Sequence, residues 1–74
     1  MEINLRATSD LARLIPPAGR VRIDDDSRVG DLLGDLGINS DLVMLFVIDG
    51  ELADLDSPLE DGMTLELIPP ISGG

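Results

Sequence analysis

The chain has 74 residues, enough for one small domain and too few for a second hydrophobic core. Its 15 acidic residues against five arginines give a formal net charge of -10, which excludes the basic footprint of a nucleic-acid-binding protein. A hydrophobic content of 43% still predicts folding, with an aliphatic core because Phe46 is the only aromatic residue. The acidity favours basic protein partners, although solubility or adaptation to a salty cytoplasm would explain it equally well.

The residue types that are missing exclude further classes of function. The chain has no histidine, cysteine, lysine or tyrosine, so nearly every general base and nucleophile that works near neutral pH is absent. Zinc and related metals lose their usual ligands as well. We therefore expect a protein that is not an enzyme and that binds no metal or cofactor itself. Without a secretory signal or an apolar run of transmembrane length, it is expected to be soluble and cytoplasmic, with no membrane partner.

Alternating apolar and polar residues predict two strands in the first third of the chain. Glu2–Ala7 and residues 20–23 both show this alternation, which is typical of half-buried strands. Between them, apolar residues at helical spacing in residues 9–15 predict a short helical turn. Residues 24–26 are three consecutive aspartates. Because the residues that follow do not fit a calcium-binding loop, we interpret this run as a solvated turn.

The clearest helical pattern follows the aspartates. Ser27 is expected to cap the helix N-terminus, and Gly37 is expected to end the helix in a left-handed conformation, with Ile38 folding back onto it. Gly30 and Gly34 each cost about 1 kcal/mol relative to alanine inside a helix, and nothing in the pattern explains them. One face of the helix is predicted to pack on the core, through Val29, Leu32, Leu33 and Leu36.

Three further strands are predicted in the second half of the chain. Residues 42–48 form an apolar run that is too short for a capped helix and fits a strand with two apolar faces. The dipeptide Asp49-Gly50 is a strong hairpin signal, and it leads into a short strand near Glu51–Ala53. Residues 63–68 alternate again. This order predicts an α+β domain: a mixed sheet of four to five strands with one main helix on one face.

The second face of the sheet has no helix to cover it, so large apolar side chains should be exposed there. Because the third strand is apolar on both sides, either of its alternating sets could face outward: Val43, Leu45 and Val47, or Met44, Phe46 and Ile48. The outward set, together with Ile68 and Ile71, would form a docking surface. The alternative is that three loop leucines fold over this face, namely Leu52, Leu55 and Leu59.

The last six residues differ in character from the rest, and they read Pro69, Pro70, Ile71, Ser72, Gly73 and Gly74. The two prolines give a stiff, extended start, and the two glycines have no side chain. Six extended residues reach about 20 Å, far enough to enter the active site of another protein. We therefore predict a domain over residues 1–68 and a flexible tail over residues 69–74 that presents a terminal carboxylate.

With these motifs together, the whole chain resembles the β-grasp, ubiquitin-like sulfur carriers, and it is most similar to the small subunit of molybdopterin synthase and the thiamine-pathway sulfur carrier. The resemblance rests on the element order, the Asp49-Gly50 hairpin, the loop at residues 57–62 and the Pro-Pro-Ile-Ser-Gly-Gly end. In that family, an activating enzyme of the ubiquitin-activating type adenylates the terminal carboxylate with ATP. Sulfur then replaces AMP to give a thiocarboxylate, which donates sulfur in cofactor or metabolite biosynthesis.

The resemblance implies a role for the tail and two partners. Gly74 would be adenylated and converted to the thiocarboxylate, with Gly73 beside it in a narrow channel. The partners would be the adenylating enzyme, which uses the ATP, and a sulfur-accepting synthase subunit. Partner contacts are expected from the docking surface and the tail, namely Phe46, Ile68, Pro69, Pro70, Ile71 and Ser72.

Two questions stay open at the level of the sequence. The loop between the helix and the third strand is as short as in the thiamine carrier, yet that carrier commonly lacks the Pro-Pro pair. Molybdenum cofactor biosynthesis, thiamine biosynthesis and other sulfur pathways therefore all fit. The same tail would also serve a ubiquitin-like modifier that is joined through Gly74 to lysines of target proteins. A third interpretation is a plain interaction domain that docks without using its carboxyl end.

Overall fold

Five strands, one α-helix and two short 3-10 helices make up residues 1–71, the part of the chain that this computed structural model describes. The strands are β1 (Glu2–Ala7), β2 (Arg20–Arg22), β3 (Leu45–Ile48), β4 (Glu51–Ala53) and β5 (Thr64–Ile68). The helix is α1 (Val29–Leu36), and the 3-10 helices span Ser9–Arg13 and Ser40–Leu42. The predicted order of strands and helix is confirmed.

All five strands belong to one mixed sheet with the order β2-β1-β5-β3-β4. At its centre β1 and β5 pair in parallel, with Leu5 opposite Leu65. The other pairs are antiparallel: β1 with β2, β3 with β5, and β3 with β4. The apolar face of α1 packs on one side of this sheet. The predicted fold class, a β-grasp sheet with one helix on one face, is confirmed.

The core lies between α1 and the inward-facing side chains of the strands, because alternate strand residues point to the same side of a sheet. Its most buried members have 0% exposure, and they are Ile3, Val29, Leu32, Leu65 and Leu67. Side chains from the connecting segments, including Leu11, Ile38 and Leu59, close the edges of this cluster. Burial of one such aliphatic side chain stabilises the fold by about 2 kcal/mol. An aliphatic core therefore forms, as the composition predicts.

The helix begins one residue later than the sequence predicts. Arg28 is the N-cap residue, and its backbone N–H donates a hydrogen bond to the Asp31 carboxylate at 2.8 Å. The Ser27 hydroxyl instead donates to the carbonyl oxygen of Asp24 at 2.7 Å, within the turn that precedes the helix. The prediction that Ser27 caps α1 is therefore wrong, because the preceding turn engages its side chain and Asp31 supplies the capping oxygen.

The C-terminus of α1 ends at a left-handed glycine, as predicted. Gly37 has a φ of 69°, a conformation that glycine adopts without a steric penalty. The N–H of Ile38 donates to the carbonyl oxygen of Leu33 at 2.9 Å, which is the long-range bond of a Schellman motif. Ile38 is buried in the core next to the helix.

Close packing of a loop on the first turn of α1 explains Gly30. Its N–H donates to the carbonyl oxygen of Leu55 at 2.9 Å, and a Cβ here would lie 3.3 Å from that oxygen. The N–H of Val29 donates to the carbonyl oxygen of Ser57 at 3.0 Å. The loop thus satisfies two N–H groups that a helix start leaves unpaired. A Cβ at Gly34 would meet no described atom within 4 Å, and nothing in the structure explains this second glycine.

The predicted hairpin at Asp49 and Gly50 forms with a two-residue turn. Ile48 lies opposite Glu51, and the two turn residues have φ values of 49° and 87°. Two successive positive φ values are typical of the type I′ turn, whose twist matches that of the strands. The Asp49 carboxylate also accepts a hydrogen bond from the N–H of Thr64 at 2.9 Å, which fixes the turn to the start of β5.

The third strand is shorter than the apolar run predicts. Only Leu45–Ile48 forms β3, whereas Ser40–Leu42 is a 3-10 helix. The side-chain oxygen of Asn39 accepts a hydrogen bond from the N–H of Asp41 at 2.9 Å and so caps this turn. The prediction of a strand from residue 42 is wrong because this local hydrogen bond favours a turn at the start of the run.

The two helical glycines predict opposite responses to alanine. We expect Gly34→Ala to raise the free energy of unfolding by about 1 kcal/mol, because alanine costs less backbone entropy and meets no neighbour. Gly30→Ala should give no such gain, because its Cβ would press on the Leu55 carbonyl. Urea unfolding followed by far-ultraviolet circular dichroism measures both. Equal stabilisation by the two substitutions would contradict the packing of this loop on the helix.

Candidate functional site

The C-terminal tail leaves the sheet at the end of β5. Ile68 is the last strand residue, and its carbonyl oxygen accepts a hydrogen bond from the N–H of Met44 at 2.7 Å. Pro69 and Pro70 have no N–H, so they cannot continue the ladder as donors. Pro69 is half-buried, Pro70 is exposed, and Ile71 is 90% exposed. The tail therefore loses contact with the domain step by step along its described part.

A groove of about 330 Å³ lies where the tail leaves the sheet. Leu14 and Leu42 are apolar and nearly half exposed there, and Asp10 and Asp41 add two exposed carboxylates. We call this surface the tail-base groove. It is lined by residues of the two 3-10 helices, by the residue after the first of them and by the two prolines, namely Ser9, Asp10, Leu11, Leu14, Asp41, Leu42, Pro69 and Pro70. Ser9 has a φ of 55°, which is uncommon for a residue with a side chain.

An apolar surface also lies on the face of the sheet that α1 does not cover. The strand register places Leu45 opposite Ile68, and Val47 opposite Leu52. Their inward neighbour Phe46 is only 8% exposed, so these four side chains point away from the helix. We call Leu45, Val47, Leu52 and Ile68 the open-face patch. It is continuous with the tail because Ile68 directly precedes Pro69.

The structure decides which set of third-strand residues faces outward. Leu45 and Val47 lie on the open face, whereas Phe46 and Ile48 pack on the core side. Phe46, which was expected to contact partners, therefore belongs to the core. Val43 and Met44 precede the strand and do not follow its alternation: Val43 is buried and Met44 is 62% exposed. Neither predicted triplet is therefore present as a whole.

The loop leucines do not cover the open face. Leu52 is 74% exposed and is itself part of the open-face patch, and Leu55 is also exposed. Leu59 is buried, but it packs in the core with α1 and the inward side of the sheet. The alternative in which three leucines fold over this face is wrong. An uncovered apolar surface of this kind beside a chain end is typical of a protein interface.

The other predicted site residues fall into two groups. Four of them follow one another at the end of β5: Ile68 belongs to the open-face patch, Pro69 and Pro70 line the tail-base groove, and Ile71 comes next. Ser72, Gly73 and Gly74 lie outside the described residues. The exposed side chains of Leu14 and Leu42 are additions that sequence analysis missed. Their apolar character is visible in the sequence, but their position beside the tail depends on the fold.

The described part of the chain offers little chemistry of its own. Within residues 1–71, no group of three or more acidic side chains converges closely enough to hold a metal ion. The aspartates at residues 24–26 are exposed, and Asp25 forms an ion pair with the amino group of Met1 at 3.2 Å. No helix in this range is long and apolar enough to cross a membrane.

A comparison of the sequence with known families decides the relationship. The sequence model of the ThiS family matches residues 11–74, which include α1, β3 to β5 and the whole tail. This chain belongs to the ThiS family. The resemblance to the β-grasp sulfur carriers is confirmed by this match. No curated protein matches the sequence.

Solved structures share the fold of this ThiS-family chain. Small archaeal modifier protein 1 of Haloferax volcanii is 28% identical, with a TM-score of 0.72 over 95% of this chain and 98% of that one. The solution structure of the Haloferax volcanii HVO 2177 protein is 26% identical, with a TM-score of 0.73 over 100% and 87%. Subunit 1 of the Helicobacter pylori molybdopterin-converting factor, solved in complex with subunit 2, is 24% identical, with a TM-score of 0.61 over 100% of both chains.

The opposite orientations of Phe46 and Leu52 predict different effects of truncation. Phe46→Ala should lower the free energy of unfolding by about 3 kcal/mol, because it leaves a cavity in the core. Leu52→Ala should change it by about 0.5 kcal/mol or less, because the side chain is mostly in solvent. Chemical unfolding of both variants measures the difference. Similar stabilities for the two would contradict the assignment of Phe46 to the inward face.

Proposed function

We propose that this protein is a sulfur carrier whose Gly74 carboxylate is activated by a partner enzyme and converted to a thiocarboxylate. The observation that carries the proposal is the ThiS-family match, which extends through the two final glycines. The exposure of Ile71 at the exit from β5 supports it, because the described part of the tail leads away from the domain. The domain over residues 1–68 would be the body that partners bind, and residues 69–74 the arm.

The proposed chemistry takes place at the Gly74 carboxylate, and partner proteins catalyse every step. The terminal carboxylate attacks the α-phosphate of ATP, pyrophosphate leaves, and an acyl adenylate forms. A hydrosulfide ion delivered by a partner then attacks the acyl carbon, the bond to AMP breaks, AMP leaves, and loss of the proton on sulfur gives the thiocarboxylate. The chain contributes no catalytic group, because it has no histidine, cysteine or lysine. The adenylating enzyme supplies the ATP site, and a sulfur-accepting synthase subunit uses the product.

The absence of side chains at the last two positions supports this use of the tail. A carboxylate that reaches the α-phosphate of ATP must pass through a channel in the activating enzyme, and a Cβ at Gly73 or Gly74 would crowd it. The open-face patch and the tail-base groove lie at the start of the tail. A partner that binds these surfaces would align the tail with the partner's own channel. Ordering the tail would cost less conformational entropy at Pro69 and Pro70 than at other residues, because proline is already restricted in the free chain.

A protein modifier is the second candidate, and one observation favours it. The chain is 28% identical over nearly its whole length to small archaeal modifier protein 1. In this role, the activated Gly74 carboxylate would be joined to lysines of target proteins. The chain has no lysine of its own to accept a further copy. Both roles share the adenylation step, and they differ in the nucleophile that displaces AMP.

Intact mass measurement distinguishes the two roles. We expect the purified protein, incubated with cell lysate and ATP, to gain the mass of one oxygen-to-sulfur exchange at its C-terminus. The matched control carries one alanine after Gly74, which blocks both covalent roles and leaves a docking domain intact. Peptides that carry Gly74 on a lysine, without the sulfur exchange, would favour the modifier. An unchanged mass in the presence of ATP would contradict both covalent roles.

Valine at the penultimate position tests the channel. Gly73→Val should abolish ATP–pyrophosphate exchange by the activating enzyme, because its branched side chain does not fit beside the reacting carboxylate. The fold should be unchanged, since position 73 follows the last strand. Exchange activity is measured with radiolabelled pyrophosphate, and folding by circular dichroism. Exchange at the wild-type rate would refute the need for two residues without side chains.

A further inference from the structure

Three of the five arginines lie on the same half of the open face. In β1, Arg6 points away from the buried neighbour Leu5, and in β2 both Arg20 and Arg22 flank the inward-facing Val21. The register places Arg20 opposite Asn4 and therefore on the same face as Arg6. We call Arg6, Arg20 and Arg22 the arginine row. All three side chains are exposed.

Arginines outnumber carboxylates among the strand side chains that point to this face. The arginine row, with Glu2 and Glu66 on the same face, gives a formal charge of +1. The remaining two arginines and 13 acidic residues give -11, and one of these acidic residues, Asp49 of the turn between β3 and β4, lines the edge of the open face. The outward side of β1 and β2 therefore holds three of the five arginines of an otherwise acidic chain.

The arginine row is not used inside the domain. Arg6 and Arg22 have acidic cross-strand neighbours, Glu66 and Glu2, but neither pair forms a salt bridge among residues 1–71. Arg20 lies opposite the uncharged Asn4. None of the three guanidinium groups donates a hydrogen bond to a described residue, whereas that of Arg28 donates to the Asp56 carbonyl oxygen. The planar guanidinium groups of the arginine row are thus available for carboxylates of another protein.

The arginine row and the open-face patch have the size and layout of one interface. Five strands about 4.8 Å apart give a face about 20 Å wide. The arginine row lies on β1 and β2, and the open-face patch lies on β3, β4 and the end of β5. A depression of about 330 Å³ lies between them, and it is lined by Arg6, Val47, Asp49, Gly50, Thr64 and Glu66. An apolar core with charged residues at one side is the usual anatomy of a protein interface.

We infer that the open face binds a partner surface that is acidic opposite the arginine row and apolar opposite the open-face patch. This inference rests on the proposed function, in which a partner enzyme binds the body of the carrier. It differs from the expectation that composition supports, namely a basic partner. The basic groups of the partner would face the aspartates elsewhere, and its acidic groups would face Arg6, Arg20 and Arg22. A partner surface with one acidic and one basic region would bind the domain in a single orientation, and this orientation would direct the tail into the partner.

A charge reversal at Arg20 tests the sign of the partner surface. The probe is the purified adenylating enzyme of the same organism, titrated calorimetrically with the full-length chain in the absence of ATP. We expect Arg20→Glu to weaken binding about tenfold, because a carboxylate would then face carboxylates. Arg20→Gln should weaken it less, because it removes an attraction without adding a repulsion. Circular dichroism checks folding, and Arg22→Glu is the second variant if Arg20→Glu does not fold.

Arg28→Glu is the matched control, since it changes the net charge by the same amount. Arg28 is the N-cap residue of α1, its exposed guanidinium donates to the carbonyl oxygen of Asp56, and it lines neither the tail-base groove nor the depression on the open face. We expect this variant, once circular dichroism shows that it is folded, to bind within about twofold of the wild type, because charge outside an interface has a small effect at physiological salt. An equal loss of binding by Arg28→Glu and Arg20→Glu would overturn the inference, since the effect would then reflect net charge.

The outcomes separate this inference from the proposed function. Tighter binding by Arg20→Glu would mean a basic partner surface, and unchanged binding would mean no contact; either result overturns the inference. Failure of the wild type to bind overturns it as well. A separate measurement tests the proposed function: whether the Gly74 adenylate and thiocarboxylate form when ATP and a sulfur donor are added. A wild type that binds through Arg20 but is never activated would leave the inference standing and refute the function.

Discussion

The parallel pairing of β1 with β5 at the centre of the sheet determines where the tail-base groove lies. The inward side chains of these strands are among the most buried in the protein, with Ile3, Leu65 and Leu67 at 0% exposure. Because the two strands run in the same direction, both end at the same edge of the sheet. The first 3-10 helix follows β1 and the tail follows β5, so these segments meet there and form the tail-base groove.

A single helix covers only one face of a sheet, and the second face must meet solvent or a partner. Alternation along the strands separates the two sets of side chains, so the inward set can be apolar while the outward set is free to vary. In this protein the outward set is divided: arginines occupy β1 and β2, and apolar residues occupy β3 and β4. The same alternation that builds the core therefore also builds an outer surface with a charged half and an apolar half. The apolar half is continuous with the start of the tail.

Local signals predicted much of the fold. The left-handed Gly37, the Asp49-Gly50 turn and the apolar stripe of α1 are all present, because each depends on residues that are close in sequence. The errors arose where two local options competed. The Ser27 hydroxyl bonds within the preceding turn and does not cap the helix, and Asn39 caps a 3-10 turn in a run that also fits a strand. Gly30 was unexplained because its reason is Leu55, which lies far away in the chain.

The sequence by itself determined which reactive side chains the protein lacks, since it has no histidine, cysteine or lysine. It also determined the element order and the resemblance to sulfur carriers, because both rest on local patterns and a terminal motif. Only the tertiary structure decided that Phe46 is buried while Leu45 and Val47 face outward, and that three arginines share one face. These outcomes depend on the strand register, which is set by pairing between distant residues and cannot be read from local alternation.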